Sequence, residues 1–221
     1  MNTTTNGATS SNTASSGGNM ERVLRLMAED QFDTLYHEHY SYLSLSAVQV
    51  LCQRNGLSIF DVEELPTHGG SLRVFAQPES AVRPANETVA RLLSHERDVG
   101  VTRSDYYASL APAAHRIKHD LLDFLVQCRK SGKRVAAYGA AAKGNTLLNY
   151  AGVREDLLPW VADISPHKQG KFLPGSRIPV VSPSRIYEEQ PDFLLVLPWN
   201  LLDEVTRQQS GIAAWGGRFV V

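Results

Sequence analysis

The stretch Tyr36-His37-Glu38-His39-Tyr40 sets two imidazoles, a carboxylate and two phenols side by side. Imidazoles titrate at about 6.5 when unperturbed, and a neighbouring carboxylate can orient one of them, so the stretch is a candidate general-base station. In an extended chain Tyr36, Glu38 and Tyr40 point one way while His37 and His39 point the other. A turn would instead bring Tyr36 and His39 together. The plain alternative is a hydrogen-bonded loop whose histidines serve backbone groups. The two histidines and the glutamate have no further ligand nearby, and no metal centre is expected.

Glycines mark two further stretches. Thr67-His68-Gly69-Gly70-Ser71 sits at a predicted hairpin bend, where it is either a plain turn or a place for backbone to approach a ligand closely. Tyr138-Gly139-Ala140-Ala141-Ala142-Lys143-Gly144-Asn145-Thr146 follows an apolar strand and opens a helix, so free amides and a helix dipole could meet an anion there. It is neither a P-loop, since Lys143 precedes the second glycine, nor a GxGxxG dinucleotide loop. A phosphate-bearing ligand without phosphoryl chemistry and tight strand–helix packing both remain open. Asp163-Ile164-Ser165-Pro166-His167-Lys168 ends another strand, at the side where open α/β sheets hold ligands, although a solvated basic loop would look the same. His115 and His119 are spaced i, i+4 but lack an intervening glutamate, so they read as a surface pair. Trp199, at a strand end, reads as core or rim.

The elements that must position these groups follow from periodicity. Helical spacing predicts helices over 20–30, 46–55, 82–98 and 106–130, the third of these after a change of texture near residue 80. Alternation with period two predicts a strand–turn–strand hairpin from 57–64 and 71–76. From Lys133 onward, a short apolar strand before Gly139 and strands at 160–163, 178–181, 192–197 and 218–221 alternate with a small-residue helix through Tyr150 and helices over 183–189 and 201–209, which argues for a parallel α/β sheet. Residues 1–19 hold only Ser, Thr, Asn and Gly apart from Met1, Ala8 and Ala14, and are expected to form a disordered polar tail. The composition divides the rest into 20–78, a helical connector over 79–131 and an α/β domain over 132–221. A stretch as short as 20–78 cannot close an α/β domain alone and reads as the end of a larger one.

Charge and composition exclude several classes. With 22 basic and 23 acidic residues among 221, and no basic run, nucleic acid is not an expected partner. No apolar run is long enough for a transmembrane helix, and the N-terminus lacks the features of a secretory signal. The isolated Cys52 and Cys128 argue against a zinc site and a disulfide framework, and they fit a reducing cytoplasm.

Residues from about 22 to 221 resemble the C-terminal half of the S-adenosylmethionine-dependent sugar C-methyltransferases, enzymes that methylate a carbon of nucleotide-linked deoxysugars. Five blocks carry the resemblance in order: FDTLYHEHYSYLSL, LSIFDVEELPTHGGSLRVFA, RVAAYGAAAKGNTLLNY, DISPHKQGKFLPGSRIPV and LPWN. It implies the end of a methyltransferase sheet (helix plus antiparallel hairpin), a helical connector and a Rossmann-like parallel α/β domain. It also implies His39 as the base beside a sugar ketone, Glu38 as the group holding that histidine, and Tyr36 in the same site. The nucleotide-linked sugar would meet His68, Gly69, Gly139, Lys143 and Asn145. Full-length members carry an N-terminal zinc module and a cofactor-binding glycine loop, and neither precedes Tyr36 here. The chain also stops a few residues short of the family's usual end. The resemblance therefore leads to three expectations: a fragment of such an enzyme, a subunit whose other half is a second polypeptide, or a non-catalytic sugar-nucleotide module.

Overall fold

The computed structural model describes residues 23–38, 40–65, 70–81 and 83–221; the polar N-terminal stretch, His39, His68 and Gly69 lie outside them. The helices are α1 (Val23–Ala28), α2 (Leu45–Arg54), α3 (Glu87–Val99), α4 (Leu110–Lys130), α5 (Ala142–Ala151), α6 (Ser184–Glu189) and α7 (Leu202–Gln208). The strands are β1 (Leu57–Leu65), β2 (Ser71–Pro78), β3 (Val135–Tyr138), β4 (Val161–Ala162), β5 (Val180–Val181), β6 (Phe193–Val196) and β7 (Arg218–Val220). They form two compact units, one within residues 41–102 and one made of 24–40 together with 103–221.

In the first unit β1 and β2 form the expected antiparallel hairpin, with Val62 opposite Val74 and a register break between Ile59 and Asp61. Leu45 from α2 and Val89 and Leu92 from α3 cover Ile59, Val62 and Leu72 of the hairpin. A residue at each end sets α2. The Ser44 hydroxyl accepts the Ala47 N–H at 3.1 Å, and Gly56 leaves the helix at a φ of +67°. The same helix start is held by Glu96 of α3, which is almost wholly buried. Its carboxylate accepts the N–H groups of Leu45 and Ser46, both at 2.7 Å, and the Ser46 hydroxyl. A buried carboxylate is tolerable because it meets orphan helix amides and a favourable dipole there.

The second unit is built on a five-stranded parallel sheet in the order β5-β4-β3-β6-β7. Its inner strands are apolar on both faces, as a sheet covered twice requires. Val135 and Ala137 of β3 and Leu195 of β6 join Leu125 and Cys128 of α4 and Leu148 of α5 on one face. Ala136, Tyr138, Leu194 and Val196 face the opposite way, onto Ile186 of α6 and Val205 of α7. Alternation of period two within each strand thus divides four consecutive apolar residues between two cores. Residues 163–179, between β4 and β5, contain no helix.

The chain divides differently from its composition. The predicted connector is shared out: α3 closes on the hairpin, while α4 belongs with the parallel sheet because Leu125 and Cys128 are part of its core. Residues 24–40 likewise group with the parallel sheet rather than with the hairpin that follows them. Among the described residues no helix is long and apolar enough to cross a membrane.

Replacing Glu96 with Ala strands two backbone donors and a hydroxyl in a buried place, at about 1–3 kcal/mol for each group that finds no water. Chemical denaturation of Glu96→Ala should show a loss of about 2 kcal/mol or more in the hairpin unit. A change within about 0.5 kcal/mol would mean that α2 does not depend on this carboxylate.

Candidate functional site

In the order β5-β4-β3-β6-β7 the chain leaves β3 toward β4 and returns to β6 on the other side. The strand order therefore reverses between β3 and β6, and in open α/β sheets a crevice opens beyond the carboxyl ends of two such strands. The loop after β3 is Gly139-Ala140-Ala141 and the loop after β6 is Leu197-Pro198-Trp199-Asn200, so two of the segments singled out in the sequence face each other across the reversal.

The two loops fit closely. Gly139 has a φ of +92°, and a Cβ there would lie 2.4 Å from Pro198 Cδ. Gly144 is packed the same way, since an added Cβ would meet Leu197 Cβ at 2.5 Å. Asp163 pins the first loop from the side: its carboxylate accepts the Ala140 N–H at 2.7 Å and the Ser165 N–H at 2.8 Å. Lys168 donates to the same carboxylate at 3.1 Å and to the Ala140 carbonyl at 2.9 Å. In nucleotide-binding sheets an acid at this strand end takes a ribose diol. Here both oxygens of Asp163 are engaged by protein donors, so the crevice does not fit the adenosine of a cofactor in that manner.

Lys143 stands in the first turn of α5 and is only 6% exposed. Its ammonium lies 4.1 Å above the centre of the Trp199 ring and donates to Asn200 Oδ1 at 3.2 Å. The ammonium is thus engaged within the crevice wall rather than extended into solvent. Asn145 is half-buried, and its carbonyl and side-chain oxygen both accept from Asn149 Nδ2.

A third segment of the site comes from the chain before Tyr36. The indole N–H of Trp199 donates to Asp33 Oδ2 at 2.8 Å. Asp33 is 6% exposed and lies in a short 3-10 helix, Phe32–Thr34. Phe32 packs on Tyr150 of α5 with ring centres 5.1 Å apart, and Asp30 pairs with Arg116 of α4 at 2.7 Å. Burial pushes the Asp33 carboxyl above the usual carboxylate range; the Trp199 N–H, the Lys143 charge and the Asp33 and Thr34 amides pull it down by less. From this anchor the backbone runs straight into the candidate base station. Leu35 N–H donates to Phe32 O at 3.0 Å and Tyr36 N–H to Thr34 O at 3.0 Å. Tyr36 is half-buried, His37 and Glu38 are exposed, and the rings of His37 and Tyr40 are 6.4 Å apart.

Of the residues proposed from sequence, Tyr36, Glu38, Gly139, Lys143 and Asn145 all lie in this unit. Reasoning from sequence passed over Asp33 and Asn200 and gave Trp199 no role. The signals are a Phe-Asp pair just before the histidine-rich stretch and a Pro-Trp-Asn turn closing an apolar strand. Neither reveals that the two would meet. Among the described residues no group of His, Cys, Asp or Glu could hold a metal ion.

Comparison with known proteins gives two matches. Residues 66–221 match the family described as the C-methyltransferase C-terminal domain. The C-methyltransferase NovU of Streptomyces niveus is 37% identical over 199 residues, covering 90% of this chain and 47% of that relative. The chain therefore spans about half the length of the relative it matches.

Gly144 tests the tightness of the crevice wall by sign. In a helix, Ala outranks Gly by about 1 kcal/mol. Overpacking against a Cβ fixed to its own backbone costs about 1–3 kcal/mol. Gly144→Ala should therefore lower the denaturation free energy by about 1 kcal/mol, and a stabilised variant would show that α5 and the 197–200 loop are not in contact.

Proposed function

This chain belongs to the C-methyltransferase C-terminal domain family, and from that premise we propose that it serves methylation of a carbon beside the ketone of a nucleotide-linked deoxysugar. One observation supports this reading above the others. Tyr36 follows Asp33 by three hydrogen-bonded residues, and Asp33 is fastened to the loop at the carboxyl end of β6, so the base station begins at the rim of the crevice.

On this reading His39 removes the proton from the carbon, Glu38 holds or polarises the imidazole, and Tyr36 stands in the same site, near enough to steady the oxygen on which charge develops. The first-turn amides of α5 would receive the phosphates, with Gly139, Lys143 and Asn145 shaping that end. The methyl donor would be S-adenosylmethionine, whose sulfonium supplies the methyl group. The Asp163 carboxylate, already taken by Ala140, Ser165 and Lys168, does not fit its ribose. The donor's pocket would then belong to another part of the protein or to a second polypeptide, and the work of this chain is deprotonation and sugar-nucleotide binding. A second reading, a sugar-nucleotide module without catalysis, shares the binding half of this proposal and lacks the proton transfer.

Deprotonation can be watched without the donor. A nucleotide-linked keto-deoxysugar incubated with the chain in deuterium oxide should exchange the proton on the carbon beside the ketone, as read by NMR. His39→Ala should slow that exchange by about 100-fold or more while leaving binding, measured by calorimetry, unchanged. Binding without exchange would select the non-catalytic module. Neither binding nor exchange would refute both readings.

A further inference from the structure

We propose that Asp33 is a positioning residue: gripped by the Trp199 indole N–H, its carboxylate fixes the Tyr36–Glu38 segment at the rim of the crevice. The role in methyl transfer rests on the function proposed above; the fastening itself does not.

Three features carry it. First, the bond joins the segment to the one place where both crevice loops converge. Trp199 belongs to the loop after β6, and its ring face is covered by Lys143 from the helix after β3. Second, the link from Asp33 to the station is stiff. Thr34, wholly buried, donates its hydroxyl to Gln31 O at 2.8 Å, and the amides of Leu35 and Tyr36 close successive turns back onto Phe32 and Thr34. Fixing Asp33 therefore fixes the backbone of Tyr36. Third, the acceptor is buried and directed: Asp33 is 6% exposed, and its Oδ2 takes the indole N–H at 2.8 Å. Desolvation outweighs the help that the charge receives from Trp199, Lys143 and the nearby amides, so the fastening rests on the placed oxygen rather than on the charge.

The charged neighbours are few. Lys143 of α5 faces the carboxylate. Arg116 of α4 is paired with Asp30, and His37 and Glu38 on the segment itself are exposed. Asp33 has its folded pKa raised, so its contribution to stability is fullest below the ordinary carboxylate range and is lost as pH rises through the raised value. Asparagine at 33 should then stabilise the unit near neutral pH and give no gain in acid.

The experiment compares amide hydrogen exchange in the wild-type chain, Asp33→Asn, Asp33→Ala and Trp199→Phe, corrected for intrinsic rates between about pH 3 and 8, with thermal midpoints alongside. In the wild type, exchange at residues 34–38 should slow as pH falls through the Asp33 titration, because the closed segment binds the proton more tightly than the open one. Asp33→Asn keeps an oxygen for the indole, so the same residues should stay at least as protected as in the wild type, with no pH step and a higher midpoint. Asp33→Ala and Trp199→Phe each remove the bond and should quicken exchange there by about 10-fold while β3 and β6 stay protected. Rescue by asparagine of what alanine loses, together with the local pH step, is what a merely space-filling side chain would not give. An Asp33→Ala segment as protected as in the wild type, a pH step that persists in Asp33→Asn, or loss of protection in β3 and β6 would each overturn the proposal. No readout needs substrate or donor, so a failed proton exchange in the sugar leaves this test intact.

Discussion

A hydrogen bond from the Trp199 indole to the Asp33 carboxylate, 2.8 Å long, joins two stretches of chain 166 residues apart. With the Phe32–Tyr150 and Asp30–Arg116 contacts, it holds the chain just before the histidine-rich stretch against the helices and loops of the parallel sheet. With it, Tyr36 begins three residues from the crevice wall. The bond in turn depends on the strand order, because only the reversal between β3 and β6 puts the first turn of α5 beside the Trp199 loop. Glycines at 139 and 144 let those two pieces approach until Pro198 and Leu197 occupy the space of their missing side chains.

The crevice loops carry little that is idle. Asp163 and Lys168 spend their hydrogen-bonding capacity on the backbone of Ala140, and Lys143 spends its own on Trp199 and Asn200. Such a loop is rigid before any ligand arrives, and preorganisation of this kind lowers the ordering cost of binding. The acid at the end of β4, where nucleotide-binding sheets meet a ribose, here holds the backbone of Ala140 and Ser165. Fold plan alone would have suggested a dinucleotide; the partners of one carboxylate argue otherwise.

Local order was legible from residue pattern. LSIFDVEE and SLRVFA alternate with period two and form β1 and β2, and Gly56 and Gly132 stop the helices before them with positive φ. The apolar runs around 135–138 and 193–196 form the two inner strands on either side of the reversal. What could not be read was distant pairing. Residues 24–40 adjoin the hairpin in sequence but pack on α4 and α5, because Phe32 meets Tyr150 and Asp30 meets Arg116. Glu96 looks like any helix-surface acid until α2 is placed over it. Lys143, in a helix of small residues, has the pattern of a phosphate ligand, yet its ammonium is covered by an indole that periodicity placed only at a strand end.

On the proposed reading the histidine-rich stretch and the crevice form one site. A photoreactive nucleotide sugar, with a diazirine on the sugar, would label whatever lies beside the bound ligand, and peptide mapping would locate the label. The arrangement described here predicts label on residues 36–38 and on the 198–200 loop in the same sample, suppressed by unlabelled nucleotide sugar. Competable label confined to other parts of the chain, with 36–38 unmodified, would contradict it.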